Sequence, residues 1–117
     1  TARGVPMGVL SNKPNDFTVE MVQSLLHEWR FASIMGARPA VPLKPDPTSA
    51  LALAEQLGAA PGRCAFLGDS DVDITTARRA GMLAIGAAWG FRGADELRAA
   101  GADLIIETPL ELLTLFP

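Results

Sequence analysis

Short apolar runs alternate along this chain with segments whose apolar residues recur at helical spacing. Strands that are joined by helices pair in parallel through right-handed crossovers, so the alternation predicts an α/β fold. The predicted strands cover residues 6–10, 31–35, 64–67, 83–87 and 103–106. A first helix has one apolar face made by Val19, Val22, Leu26 and Trp29, and further helices are predicted at residues 48–57, 74–80, 93–100 and 109–115. The four prolines of residues 38–47 predict an extended loop.

The composition narrows the class of protein. Apolar residues make up 49% of the 117 residues, which predicts a folded globular domain. The formal net charge is −3 without a basic run, so no nucleic-acid partner is expected. No apolar stretch approaches the roughly 20 residues of a membrane helix, and no signal peptide is visible, so no membrane partner is expected. The single Cys64 excludes an internal disulfide and favours a cytoplasmic protein.

Three carboxylates follow the third predicted strand: Asp69, Asp71 and Asp73. Open α/β sheets bind ligands at the carboxyl ends of their strands. Carboxylates crowded at such a turn repel one another unless a cation or hydrogen-bond donors offset the charge. Mg²⁺ suits such a turn because it binds through one or two carboxylates, several waters and substrate phosphate. The alternative is that Asp71 and Asp73 only cap the following helix and interact favourably with its dipole.

Polar groups also follow the first predicted strand and occupy the proline-rich loop. Ser11 and Asn12 offer a hydroxyl and backbone N–H groups at a helix start, which is an arrangement that binds phosphate. Lys44 lies between prolines and offers a pre-positioned charge for phosphate oxygens or for a carboxylate nucleophile. Because the carboxyl ends of parallel strands lie at one edge, these groups should converge with Asp69. Together they predict a site for phosphoryl transfer, in which positioning and charge neutralisation supply most of the catalysis.

Three segments with polar residues at predicted strand ends or in the proline-rich loop are Leu10-Ser11-Asn12-Lys13-Pro14, Leu43-Lys44-Pro45-Asp46-Pro47 and Phe66-Leu67-Gly68-Asp69-Ser70-Asp71-Val72-Asp73. They resemble motifs two, three and four of the haloacid dehalogenase superfamily, most of all its phosphoglycolate phosphatase branch, of which Ala88-Trp89-Gly90-Phe91 is also typical. The resemblance covers nearly the whole chain, so residues 1–117 are identified as one partial core domain. It implies a three-layer, Rossmann-like α/β core with a parallel sheet.

The resemblance implies a role for each matching residue. Ser11 would hydrogen-bond the transferred phosphoryl oxygens together with the Asn12 backbone N–H. Lys44 would neutralise charge on that group and on the attacking carboxylate. Asp69 would ligate Mg²⁺, and Asp73 would act on the ion indirectly, through a neighbouring ligand or through a water. The implied activity is Mg²⁺-dependent hydrolysis of a small phosphorylated metabolite through an aspartyl-phosphate.

Three nearby polar residues receive no chemical step. Asp71 falls at a variable position of the motif and should be exposed. Lys13 matches a position that is usual in the branch. His27, on the first helix, is expected to be a surface or packing residue rather than a base.

The chain departs from the family pattern at its start. The first motif of the family, Asp-x-Asp-Gly-Thr, supplies the nucleophile and the general acid and base, and no acid precedes Ser11 in this sequence. The cap domain that selects substrate is missing as well. The resemblance therefore implies the carboxyl-terminal half of a phosphatase core, which should not turn over substrate alone.

The missing motif belongs to the central strand of the sheet in this family. Its absence would leave the first and third predicted strands unpaired across a gap of roughly 10 Å, which is twice the spacing of neighbouring strands. Apolar, unpaired edges tend to pair with other chains. The edges can close on each other, a second copy can fill the gap, or a longer protein can supply the strand. The latter two are preferred, and self-association through the edges is expected.

Two other functions remain open from the sequence. One is a catalytically inactive binding or regulatory module with the same fold. The other is a receiver domain, which also places acids and a lysine at strand ends. The receiver fits less well, because its acid pair should follow the first strand and the chain has its acids after the third.

Overall fold

Strands and helices alternate in the computed structural model, which describes residues 4–26, 30–90 and 93–116. This alternation confirms the predicted α/β class. Short 3₁₀ segments at Pro61–Arg63 and Pro109–Thr114 complete the described elements. The strands are β1 (Gly8–Pro14), β2 (Ser33–Ala37), β3 (Ala65–Gly68), β4 (Leu83–Ala87) and β5 (Leu104–Ile106), and the helices are α1 (Asn15–Leu25), α2 (Thr48–Leu57), α3 (Asp71–Ala80) and α4 (Gly93–Ala99).

The strands form two separate parallel sheets. One contains β1 and β2, and the other contains β3, β4 and β5 in that order. Within the described residues no ladder joins β1 to β3. This break lies where the resemblance places the missing central strand. Direct closure of the two edges, one of the outcomes considered from the sequence, is therefore not what the structure shows.

The buried core lies against the three-stranded sheet. Ile74, Ile85 and Leu97 are fully buried between this sheet and its helices. In contrast, every residue of β1 and β2 is at least partly exposed, and Leu67 on β3 is 39% exposed. Helix α2 packs against β1, β2 and α3, so it holds the two sheets in one domain.

Two helices end at the glycines where the sequence predicts their ends. Gly58 after α2 has φ 73°, and Gly81 after α3 has φ 74°. Only glycine adopts this left-handed backbone without a steric penalty from Cβ, and the Gly81 N–H satisfies helix carbonyls that would otherwise lack a donor. The chain can therefore turn at each point toward the next strand.

Other boundaries differ from the prediction. β1 runs to Pro14 and β2 to Ala37, beyond their predicted ends at residues 10 and 35, because pairing resumes at Pro14 after an irregularity. Pro14 consequently precedes α1 and is not its first residue. The closing helix is a 3₁₀ segment, which a capping box between Thr108 and Glu111 begins.

Two predictions concern residues beyond the described ranges. His27 and the Trp29 end of the first apolar face lie outside the described residues.

Within the residues that the structure describes, no helix has both the length and the apolar character that a membrane span requires. Cys64 is a free, partly buried cysteine immediately before β3.

We expect truncation of the core to destabilise the domain far more than truncation of its surface. Ile74→Ala should lower the free energy of unfolding by about 2–5 kcal/mol, because Ile74 is fully buried and its loss leaves a cavity. Leu110→Ala is the control, since Leu110 is 74% exposed and should change stability by less than about 0.5 kcal/mol. Urea unfolding followed by circular dichroism measures both, and equal losses would contradict the assigned core.

Candidate active site

The carboxyl end of β1 bulges out of its ladder with β2. Pairing with β2 stops at Leu10 and resumes at Pro14. Bulges re-aim side chains and are common beside active sites. The residues that leave the ladder are Ser11, Asn12 and Lys13.

Side-chain hydrogen bonds stabilise this bulge from both sides. The Ser11 hydroxyl oxygen accepts the Lys13 backbone N–H at 3.0 Å, which leaves the hydroxyl proton able to donate to a ligand. Below the bulge, the buried Thr18 hydroxyl lies within 3.0 Å of the Pro14 carbonyl and 3.2 Å of the Lys13 carbonyl. Asn15 Oδ1 accepts the Gly36 N–H at 2.9 Å and so ties the start of α1 to β2. The polar groups of the bulge therefore have a fixed foundation.

The ammonium of Lys44 lies at the break between the two sheets. Lys44 Nζ is 2.7 Å from Asp73 Oδ1, and both side chains are only 12% exposed. The same ammonium is 3.4 Å from the Leu10 carbonyl oxygen on β1 and 6.0 Å from the centroid of the Phe66 ring on β3. Lys44 thus lies against both strands that border the gap.

The backbone of Lys44 is held by a second residue of the bulge. The Lys44 N–H donates to Asn12 Oδ1 at 2.9 Å, and Asn12 Nδ2 donates to the Lys44 carbonyl at 3.1 Å. The predicted extended loop of residues 38–47 is therefore connected directly to the carboxyl end of β1.

The carboxylate of Asp73 accepts hydrogen bonds at both oxygens. Besides Lys44 at Oδ1, Asp73 Oδ2 lies 3.2 Å from both the Asp69 backbone N–H and the Ser70 hydroxyl. Gly68 allows this position, because a Cβ at Gly68 would overlap the Asp73 side chain. The structure thus gives Asp73 the lysine as its charge partner.

Asp69 directly follows the carboxyl end of β3, as predicted. Its side chain is exposed and packs against Gly90 after β4, where a Cβ would overlap it. Within the described residues, no hydrogen bond reaches the Asp69 carboxylate, which differs in this respect from Asp73. These same ranges contain no group of three or more His, Cys, Asp or Glu side chains placed to hold a metal ion.

The helix-cap alternative is partly realised. Ser70 is the N-cap of α3, and its hydroxyl accepts the Asp73 N–H. Asp71 and Asp73 lie in the first turn, where negative charge interacts favourably with the helix dipole. Asp71 is exposed, as predicted. The cap is therefore the serine between Asp69 and Asp71.

The lysine loop is also fixed on its far side. Hydrogen bonds from the Thr48 side chain and backbone, with a smaller contribution from the Arg79 charge, lower the pKa of the Asp46 carboxyl. The guanidinium of Arg79 is 3.5 Å from the Pro45 carbonyl oxygen. Both ends of the loop segment around Lys44 therefore contact the body of the domain.

The structure brings the predicted site residues to one edge. Asp73 binds both the Lys44 ammonium and the Asp69 backbone N–H. Ser11 directly follows Leu10, whose carbonyl oxygen is 3.4 Å from the Lys44 ammonium. The combination offers a hydroxyl donor, a cation and the exposed Asp69 carboxylate, which is a set that can bind a phosphate group and a divalent cation.

Sequence reasoning missed the residues that support the site. The Asn12 amide holds Lys44, and Gly90 leaves the space for Asp69, through contacts between distant parts of the chain. Thr18 supports the bulge through contacts four and five residues back in the sequence. An asparagine near a turn reads in the sequence as a local cap. The local sequence does not distinguish that role from a long-range one.

A groove of about 700 Å³ lies away from this site, at the amino-terminal end of β1 and β2. Its lining includes Met7, Val22 and Ile34 and none of the predicted site residues. The predicted site residues and this groove therefore lie at different places on the described part of the chain.

Comparison with known proteins identifies a family and relatives that this chain resembles. The profile of a family described as haloacid dehalogenase-like hydrolase matches residues 1–81. The chain is 34% identical over 110 residues to a phosphoglycolate phosphatase of Xanthomonas campestris, covering 93% of this chain and 50% of that protein. It is 31% identical to a phosphoglycolate phosphatase of Escherichia coli, covering 96% of this chain and 44% of that protein. The chain thus spans about half the length of these curated relatives.

Solved structures show the same fold. A crystal structure of a candidate phosphoglycolate phosphatase from Lactobacillus delbrueckii subsp. bulgaricus superposes with a TM-score of 0.90 at 33% identity, covering 98% of this chain and 48% of that one. A haloacid dehalogenase-like protein of Agrobacterium tumefaciens superposes with a TM-score of 0.83 at 31% identity, covering 94% and 53%. On the family match over residues 1–81, this chain belongs to the haloacid dehalogenase-like hydrolases.

Proposed function

We propose that this chain forms the carboxyl-terminal half of the core of a Mg²⁺-dependent phosphatase that acts on a small phosphorylated metabolite such as phosphoglycolate. The observation that supports this most is the position of the Lys44 ammonium, which is 2.7 Å from Asp73, 3.4 Å from the Leu10 carbonyl oxygen on β1 and 6.0 Å from the Phe66 ring centroid on β3. A fixed cation between two strands is suited to neutralise a phosphoryl group. The similarity to phosphoglycolate phosphatases supports the substrate class.

Ser11 and Asn12 are proposed to bind the transferred phosphoryl group. The Ser11 hydroxyl can donate to a phosphoryl oxygen, because its own oxygen already accepts the Lys13 N–H. The Asn12 backbone N–H is the proposed second donor. Lys44 completes the site by balancing the charge of the phosphoryl group and of the attacking carboxylate.

Asp69 is the proposed Mg²⁺ ligand. Its exposed carboxylate has no hydrogen-bond partner among the described residues, and a single carboxylate with room for water and phosphate fits the coordination that Mg²⁺ prefers. Asp73 is proposed to act through Lys44 and through a water, because both of its oxygens already accept hydrogen bonds. When bound, Mg²⁺ would neutralise charge on the phosphoryl oxygens.

The attacking carboxylate is proposed to come from a strand outside this sequence. No acid precedes Ser11, and Asp73 is committed to Lys44. A parallel strand inserted between β1 and β3 would end beside Ser11, Lys44 and Asp69. The chain alone is therefore proposed to lack turnover. The alternative is an inactive binding module in the cytoplasm, favoured by the same absence of a nucleophile.

Replacement of Asp69 should weaken Mg²⁺ binding in the presence of inorganic phosphate. Asp69→Asn is expected to lower Mg²⁺ affinity about tenfold or more, since a coordinating carboxylate is lost. Asp71→Asn is the matched control, because Asp71 is an exposed acid two residues from Asp69 and its substitution removes the same charge. Isothermal titration calorimetry measures both affinities. Equal weakening by the two variants would mean that only net charge matters.

Supplying the missing strand should create activity. We expect no Mg²⁺-dependent hydrolysis of p-nitrophenyl phosphate by this chain, and measurable hydrolysis by a longer protein in which an Asp-x-Asp-Gly-Thr segment precedes it. Asp69→Ala in the longer protein should abolish turnover. An active longer protein with unchanged turnover after Asp69→Ala would refute the metal assignment, and an inactive longer protein would favour the binding module.

The unpaired edges should cause self-association of the isolated chain. At micromolar concentration, light scattering should report a mass above 12.3 kDa. Leu67→Lys, on the exposed edge region of β3, should reduce this mass, because charge on an edge strand opposes pairing. Leu110→Lys is the control, since it adds the same charge at an exposed site outside the sheet. A clean monomer for the unmodified chain would exclude association through the gap.

A further inference from the structure

We infer that the side chain of Asn12 is a positioning residue that fixes Lys44 relative to the β1 bulge; the catalytic consequence of this inference rests on the proposed phosphoryl-transfer function. In the proposed site, Asn12 contributes its backbone N–H. Its side chain does something separate, since it binds both backbone polar groups of Lys44, 32 residues away.

The geometry resembles one rung of a β-ladder made by a side chain. Asn12 Oδ1 accepts the Lys44 N–H at 2.9 Å, and Asn12 Nδ2 donates to the Lys44 carbonyl at 3.1 Å. A primary amide offers one acceptor and one donor in the plane that this pairing needs. A carboxylate lacks the donor, and an aliphatic side chain lacks both groups. The chemistry at position 12 is therefore specific to an amide.

The other contacts of the loop do not replace this pair. The Ser49 hydroxyl is 3.3 Å from the Pro42 carbonyl, and Arg79 is 3.5 Å from the Pro45 carbonyl. Each of these contacts is a single hydrogen bond that is longer than either bond of the Asn12 pair, and each reaches a proline near Lys44 and not Lys44 itself. Among the described residues, only the Asn12 pair binds the backbone of Lys44, which carries the ammonium.

The pair matters because a lysine side chain is long and flexible. Its ammonium is held at the tip by Asp73, and its backbone is held by Asn12. Asn12 is also adjacent to Ser11. One side chain therefore sets the distance between the proposed hydroxyl donor and the proposed cation.

Hydrogen exchange tests the contact directly. In Asn12→Ala, exchange of the Lys44 backbone N–H should accelerate about fivefold to tenfold, as expected for loss of one hydrogen bond. Asn15→Ala is the matched control beside the bulge, because Asn15, the first residue of α1, holds the Gly36 N–H. It should accelerate Gly36 and leave Lys44 protected. Acceleration of both amides in Asn12→Ala would indicate general loosening of the bulge and overturn the inference, as would an unchanged Lys44.

The ammonium provides a second readout, because Lys13 and Lys44 are the only lysines in the sequence. Brief reductive methylation followed by mass spectrometry of peptides gives the labelling of Lys44 relative to the exposed Lys13. Asn12→Ala should raise this ratio at least about threefold, and Asn15→Ala should not. An unchanged ratio in Asn12→Ala would mean that Asp73 alone positions the ammonium. If Asn12→Ala does not fold, Asn12→Asp serves instead, since it keeps the acceptor for the Lys44 N–H but loses the donor, and its ratio should still rise.

Inorganic phosphate separates this inference from the proposed function. Titration followed by the amide signals of residues 11–13 should show weaker phosphate binding in Asn12→Ala than in the unmodified chain. Absence of phosphate binding by the unmodified chain would count against the proposed site. The hydrogen-exchange result would still decide whether Asn12 holds Lys44.

Discussion

The ion pair between Lys44 and Asp73 is the interaction on which the arrangement of this domain depends. The ammonium lies beside the Leu10 carbonyl of one sheet and the Phe66 ring of the other, and the carboxylate belongs to the first turn of α3. Removal of one partner from a largely buried pair leaves a charge without compensation, which commonly costs about 3–5 kcal/mol. The ammonium that would bind an anion therefore also connects the two sheets of the domain.

Much of the fold follows from local sequence signals. Helix α2 and strand β4 occupy their predicted residues, and Gly58 and Gly81 end helices as predicted. These features depend on residues close in sequence, such as a glycine after an apolar face. The path of β1 past Leu10 was not predicted, because Ser11 to Pro14 reads as a turn. Its pairing with β2 is decided by a partner strand 23 to 25 residues later, which a local pattern does not contain.

The candidate site shows the same division. The sequence indicated Ser11, Lys44 and Asp69 because each follows or neighbours a strand end, and the structure places them at one edge. The charge partner of Lys44 was not predicted, since Asp73 is 29 residues away and reads locally as a helix-dipole or metal residue. The chemical roles of these residues stay predictions.

The two glycines beside the acids have a consequence for how this site tolerates change. Gly68 leaves the space that Asp73 fills, and Gly90 leaves the space against which Asp69 rests. The directions of both carboxylates thus depend partly on the absence of a Cβ at these two glycines. Such a site is vulnerable at positions that carry no chemistry at all: a single added methyl group at either glycine would turn an acid away from the shared edge while every polar group remained in the chain.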